Sequence, residues 1–128
     1  MSGKTNYLET NLLNHVLRNT AYSSPATIYV GLFTVAPDET GGGTEVTGGA
    51  YARQSVTFTA PSPDSCSNNA DITFPTAIAD WGTVVAFALF DQSSGGNMLY
   101  FTTLTASRDI LTSDQFRFPS GQLVVSED

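Results

Sequence analysis

The sequence predicts an all-β protein: an antiparallel β-sandwich of about seven short strands, with one N-terminal α-helix. Three observations carry that expectation. Short apolar or alternating runs recur at regular spacing between Gly, Pro and Ser signals. Residues 84–90 are seven apolar side chains without a break, so both faces of any strand they form must be covered. The polar, glycine-bearing segment 91–97 separates this run from a second apolar one at 98–104, which reads as a hairpin at the centre of the structure.

The elements follow in chain order. Residues 1–5 are expected to form an N-terminal arm. Residues 6–19 predict a helix, because Leu8, Leu12 and Val16 recur at i, i+4 and i+8 while Leu13 and Leu17 widen the stripe. Asn6 is placed to cap it, with Glu9 three residues on as in a capping box. Fourteen residues are marginal as a free helix, so this one needs a surface: its own sheet or another subunit. Pro25 introduces a strand at 27–34. A glycine-rich loop at 36–49 carries Asp38, Glu39 and Glu45, read as solvated carboxylates. In the strand at 52–59, Gln54, Val56 and Phe58 share one face, and Arg53, Ser55, Thr57 and Thr59 the other. After a Pro-rich loop, 70–74 predicts a short strand. The hairpin spans 81–104, 105–112 reads as a loop with Ile110 and Leu111 tucked inward, and strands at 115–118 and 122–126 close the fold.

A length of 128 residues fits a single domain, 1–128, with the sandwich over 27–126. Charged residues make up only 13%, against ~25% in ordinary soluble domains, so the surface is either built from neutral polar groups or covered by partners. The net charge is −7, and five scattered Lys and Arg cannot neutralise a phosphate backbone; direct nucleic-acid binding is not expected. No apolar run is long enough to span a membrane as a helix, and the first residues lack the apolar core of a signal peptide, so expression and folding in a cytoplasm are expected.

Catalytic chemistry is hard to place. Residues 2–5 (Ser-Gly-Lys-Thr) resemble the end of a phosphate-binding loop but lack the upstream glycine and strand. His15 is the only histidine and sits beside the helix stripe, where a packed or interfacial imidazole is the ordinary reading. With one His and one Cys (Cys66), neither a zinc cage nor an internal disulfide is expected, and no cofactor or small-molecule substrate is implied. Asp80 and Asp91 bracket the central strand too far apart to act as a pair, and each is expected to order a turn. Trp81 either anchors the core at a strand entrance or stacks on a sugar. Arg53, Arg108 and Arg117 lie near strand surfaces, within reach of a neighbour's carboxylates.

Several phrases occur together in order: Asn6-Tyr-Leu-Glu-Thr-Asn-Leu-Leu-Asn-His-Val-Leu17, the run from Ala21 to Thr34, Gly43-Thr-Glu-Val-Thr-Gly-Gly-Ala-Tyr-Ala-Arg-Gln54, Phe74-Pro-Thr-Ala, Asp80-Trp-Gly-Thr-Val, Phe90-Asp and Gly95-Gly-Asn-Met-Leu99. With these the chain resembles a family of small virion proteins of tailed bacteriophages and cyanophages. Its members are often labelled tail fibre proteins, and some resemble capsid cement (decoration) proteins. The resemblance implies a non-enzymatic structural protein. Its partners would be the major capsid protein of the phage head and further copies of itself, as a homotrimer on the capsid surface. The alternative is a tail fibre or tail-tip component, or a host-glycan-binding module with Trp81, Tyr51 and Tyr100 as stacking groups. The candidate partner-interface residues are Leu8, Leu12, Leu13, Val16 and Leu17 on the helix, with Thr44, Glu45, Val46, Tyr51 and Arg53 around the glycine-rich loop.

Overall fold

The computed structural model describes residues 3–127. Residues 1, 2 and 128, which include the start of the expected arm and of the Ser-Gly-Lys-Thr segment, lie outside the described residues. Among the described residues, ten strands and one helix follow in the order β1 (Gly3–Lys4), α1 (Asn6–Leu17), β2 (Ile28–Val35), β3 (Thr44–Glu45), β4 (Gln54–Val56), β5 (Ser65–Ser67), β6 (Ile72–Thr73), β7 (Gly82–Phe90), β8 (Met98–Ile110), β9 (Arg117–Phe118) and β10 (Val124–Ser126). The main sheet runs β1-β8-β7-β2-β3, and β4 also pairs with β2. Two two-stranded ribbons, β10-β5 and β6-β9, make the second layer. Every pairing is antiparallel.

The uninterrupted apolar run forms β7, the middle of the main sheet, hydrogen-bonded to β2 on one side and β8 on the other. From Ala86 to Phe90 its side chains alternate between two apolar clusters, and a register shift between Val84 and Ala86 resets the faces of the residues before it. Val84, Phe87 and Leu89 face the ribbons and meet Ile72, Phe74, Phe116, Phe118, Leu123 and Val125 in the principal core. Ala86, Ala88 and Phe90 face the other way and pack with Phe33, whose ring lies parallel to that of Phe90. Asp91 closes the hairpin as expected: its carboxylate accepts from the Asn97 N–H at 2.8 Å and from Asn97 Nδ2 at 3.1 Å. Asp80 orders the opposite end, where Oδ1 accepts from the N–H and Oγ1 of Thr112.

Several sequence expectations need correction. The helix cap is Thr5, not Asn6: Thr5 Oγ1 accepts from the Leu8 N–H, so Glu9 falls outside a capping box. The helix stops at Leu17 rather than 19, with the Arg18 N–H still reaching the Asn14 carbonyl. The segment 105–110 is no loop but the second half of β8, paired with β7 as far as Gly82–Ile110. Its polar side chains are compatible with a strand because they point to solvent. Ile110 is buried as expected, whereas Leu111 is exposed.

The 36–49 loop contains β3, and its Val46 is buried in the principal core. The Pro-rich loop likewise contains β5, which pairs with β10. A buried Asn68 ties this region together: its Nδ2 donates to the carbonyls of Ala70 and Pro119, and its Oδ1 accepts from the Leu123 N–H. Such short strands carry too few residues to show a period, so only tertiary pairing reveals them.

Candidate functional site

The most organised polar cluster in the chain joins the glycine-rich loop, β4 and the tip of the β7–β8 hairpin. Glu45 projects from β3 and receives two hydrogen bonds from Arg53, Nη2 to Oε1 and Nε to Oε2, both at 2.8 Å. Arg53 Nη1 also donates to the carbonyls of Gln92 (3.0 Å) and Gly95 (2.8 Å), and its guanidinium lies 3.5 Å from the centroid of the Phe90 ring. Tyr51 donates its hydroxyl proton to Glu45 Oε2 at 2.6 Å and accepts from the Leu32 N–H at 2.9 Å. Burial and the neighbouring carboxylate push the Tyr51 phenol well above its ordinary range, so it stays protonated and acts as a fixed donor. Gly31 makes the approach possible: a Cβ there would lie 2.6 Å from Glu45 Oε2.

These groups satisfy one another and hold the hairpin tip to the loop. They form a clamp, because both oxygens of the Glu45 carboxylate and all three guanidinium nitrogens of Arg53 are engaged. Glu45 is accordingly not the solvated loop carboxylate expected from sequence. Nor does Arg53 need a neighbour's carboxylate, since it finds one within its own chain. Arg117 pairs loosely with Asp71 at 3.6 Å on the surface, and Arg108 lies over the Phe116 ring. His15 is exposed, not packed; its Nδ1 accepts from the Tyr22 N–H at 3.3 Å.

Two concave features flank this frame. One is a polar cleft of about 460 Å³ between the helix start, the glycine turn and the hairpin tip, lined by Tyr7, Glu39, Thr40, Arg53 and Asn97. The other is a cavity of about 520 Å³ lined by Ile28, Phe58, Leu89, Leu99 and Val125, with Tyr100 and Glu127 at its edge. Tyr100 donates to Glu127, whose other oxygen accepts from Lys4 Nζ at 2.7 Å. Burial raises the Glu127 carboxyl, but the hydrogen bonds from Lys4 and Tyr100 outweigh that and hold it below the usual carboxylate value. Among the described residues no three His, Cys, Asp or Glu side chains are grouped to hold a metal ion.

The ten interface candidates divide sharply. Leu8 is buried and Leu12 half-buried, while Leu13, Val16 and Leu17 are 59%, 71% and 73% exposed. Thr44 is exposed on β3, whereas Val46 is buried and Glu45, Tyr51 and Arg53 are spent on the clamp. The proposed stacking groups fare similarly. Trp81 is buried, with Nε1 donating to the Gly49 carbonyl at 2.9 Å, so it anchors the core and presents no face to a sugar. The Tyr51 ring lies parallel to Phe74 and edge-on to Trp81. What sequence reasoning missed is the joint role of Glu45, Tyr51 and Arg53. The available signal was that all three stand within one phrase of the resemblance, although no local spacing announces a clamp.

The frame is therefore a core hairpin locked at its tip, with a helix projecting beside it. Comparison with protein families matches residues 3–126 to the family described as Podophage GP4 fiber I protein gp80. The chain belongs to this gp80 family. It is thus a phage virion structural protein, and the match extends from β1 through β10. No curated protein matches the chain.

Proposed function

We propose that the chain is a subunit of a phage fibre, contributing a passive building block to the tail apparatus. The observation that carries this reading is the family match, which spans 124 residues described by a fibre protein. The structure fits such a role physically. β7 is covered on both faces by apolar clusters, and the Arg53 clamp fixes the tip of its hairpin, which gives a stiff unit able to transmit load. The charge-poor surface suits protein–protein contact better than contact with polyanions. This reading takes the fibre alternative over the capsid cement role that the sequence resemblance favoured, because the family description names a fibre.

Immunogold labelling of purified virions with an antibody to this chain, together with its copy number per particle, tests the proposal. Label confined to fibres and a few dozen copies or fewer are expected. Label over the whole head, with hundreds of copies, would overturn the fibre reading and restore the cement one.

A further inference from the structure

The space between the two layers is filled unequally. At the β6–β9 ribbon, the rings of Phe74, Phe116 and Phe118 meet edge to face and close it. At the β5–β10 ribbon the sequence supplies Ser65-Cys66-Ser67, side chains too small to fill the gap to the main sheet. Cys66 and Val125 are cross-strand partners and share a face, and Leu89 and Tyr100 are partners on the sheet. These four side chains line the cavity of about 520 Å³, with Ile28 and Phe58 on its walls and the exposed Pro61 and Pro63 at its lip. Interiors packed at crystal density leave few voids larger than a water molecule, so this volume is not ordinary packing slack. It falls within the range of small-molecule sites, roughly 300–1,000 Å³, and has their make-up: an apolar lining with a few polar groups gathered in one place.

Those polar groups are contiguous and held in place. Tyr100 donates to Glu127, and the Glu127 N–H donates to the Asp64 carbonyl at 2.8 Å. The Ser62 N–H closes the same loop on the Ser65 carbonyl at 2.9 Å. The mouth is therefore framed by main-chain hydrogen bonds before anything enters it, which spares a ligand the cost of ordering it. Charge then selects the ligand. Burial raises the Tyr100 phenol and the Cys66 thiol above their ordinary values, so at neutral pH neither adds charge. Glu127 is neutralised by Lys4 Nζ at 2.7 Å. Asp64 differs: its carboxylate is exposed and has no hydrogen-bond or ion-pair partner among the described residues. The described lining includes no cation, and the chain carries a net −7. An anionic head group would meet an unpaired carboxylate on an acidic protein, whereas an ammonium group would complete it.

We infer that this cavity binds a small cationic amphiphile, its apolar ring or short chain lying between the layers and its ammonium group at Asp64. The inference goes beyond the fibre reading and does not depend on where in the virion the protein sits. The test is equilibrium dialysis of the full chain at neutral pH against three probes that share one ring system: naphthylmethylamine, naphthylmethanol and naphthylacetate. The amine should bind about fivefold more tightly than the alcohol, as one exposed ion pair allows, and the carboxylate most weakly. Asp64→Asn should bring the amine to the alcohol's affinity and leave the alcohol unchanged. Asp64 contacts Glu127 through its main chain, so this variant keeps the loop. Cys66→Phe should fill the space and abolish binding of all three. That substitution also strains a short ribbon, so a second measurement uses the unaltered chain. With nine-tenths of the sites filled by the amine, alkylation of Cys66 by N-ethylmaleimide should slow about tenfold, because only the free protein reacts. An amine that shows no saturable binding, that is held no more tightly than the alcohol, or that leaves the alkylation rate unchanged would overturn the inference.

Discussion

Replacing Arg53 by methionine removes the guanidinium while keeping most of the aliphatic stem. The side chain of Arg53 is 9% exposed and that of Glu45 22%. The loss comprises the two hydrogen bonds to Glu45, those to the Gln92 and Gly95 carbonyls, and the stacking on Phe90. Removing one partner of a buried ion pair costs roughly 3–5 kcal/mol, chiefly because the other charge is left unpaired. Glu45 retains some contact with water and keeps the Tyr51 hydroxyl, so the lower end applies, about 3 kcal/mol. For a chain of 128 residues, with an unfolding entropy of about 2.1 cal/mol/K per residue, that corresponds to a drop in Tm of about 10 °C. Urea unfolding should show a lower midpoint at unchanged slope. Arg53→Lys should recover less than half of the loss, because an ammonium cannot fork to the carboxylate and reach both carbonyls. Hydrogen exchange should accelerate at the tip, residues 92–95, before it does at Leu89. A loss below about 1 kcal/mol, the value of an exposed ion pair, would refute the clamp.

Other expectations follow from the same contacts. Gly31→Ala should cost about 1–3 kcal/mol in chemical denaturation, because its Cβ would meet Glu45 Oε2 at 2.6 Å while Arg53 holds that oxygen in place. Asn68→Ala should cost about 2–3 kcal/mol by the same measurement, since it leaves the buried Leu123 N–H without its acceptor. Glu127, held below its ordinary pKa in the fold, stabilises the native state above the unfolded value and gives that contribution up as pH falls through the folded one. Glu127→Gln should therefore flatten the acid limb of a stability–pH curve. Tyr100 runs the other way. Burial and Glu127 raise its pKa, so its contribution is complete below about pH 10 and is lost as pH rises towards the folded value; Tyr100→Phe should flatten the alkaline limb.

What was legible in the sequence was whatever a short stretch can state on its own. The unbroken run 84–90 says that both faces are covered, and Asp91 with the glycines behind it says that the chain turns. The alternation over 52–59 separated buried Val56 from exposed Ser55 and Thr57 correctly, although only Gln54–Val56 forms β4. The misses arise where a residue's environment is set from far along the chain. Val46 looks like part of a polar glycine loop, yet its N–H reaches the Leu32 carbonyl and its side chain enters the core. Residues 105–110 are too polar to advertise a strand, and only the register with β7 makes them one. Arg53 reads as a solvent cation until the hairpin tip, some forty residues later, folds over it.

The same contrast separates the two groups of interface candidates. Around the glycine-rich loop, charge and aromatic character looked like an offer to a partner, and the chain uses both internally. On the helix, the apolar stripe called for a surface, its own sheet or another subunit; Leu8 is buried on the body, while Leu13, Val16 and Leu17 stay exposed. A clamp made of charges is demanding in geometry but completed by groups within reach, so it closes inside the subunit. An apolar stripe has no such geometric demand and is satisfied by any dry surface of the right size. The polar clamp thus makes the subunit stiff, while the outer face of the helix stays exposed in the single chain. The clamp and the exposed helix face share no residue, so variants at Arg53 and at Leu13 or Leu17 should be additive in stability measurements.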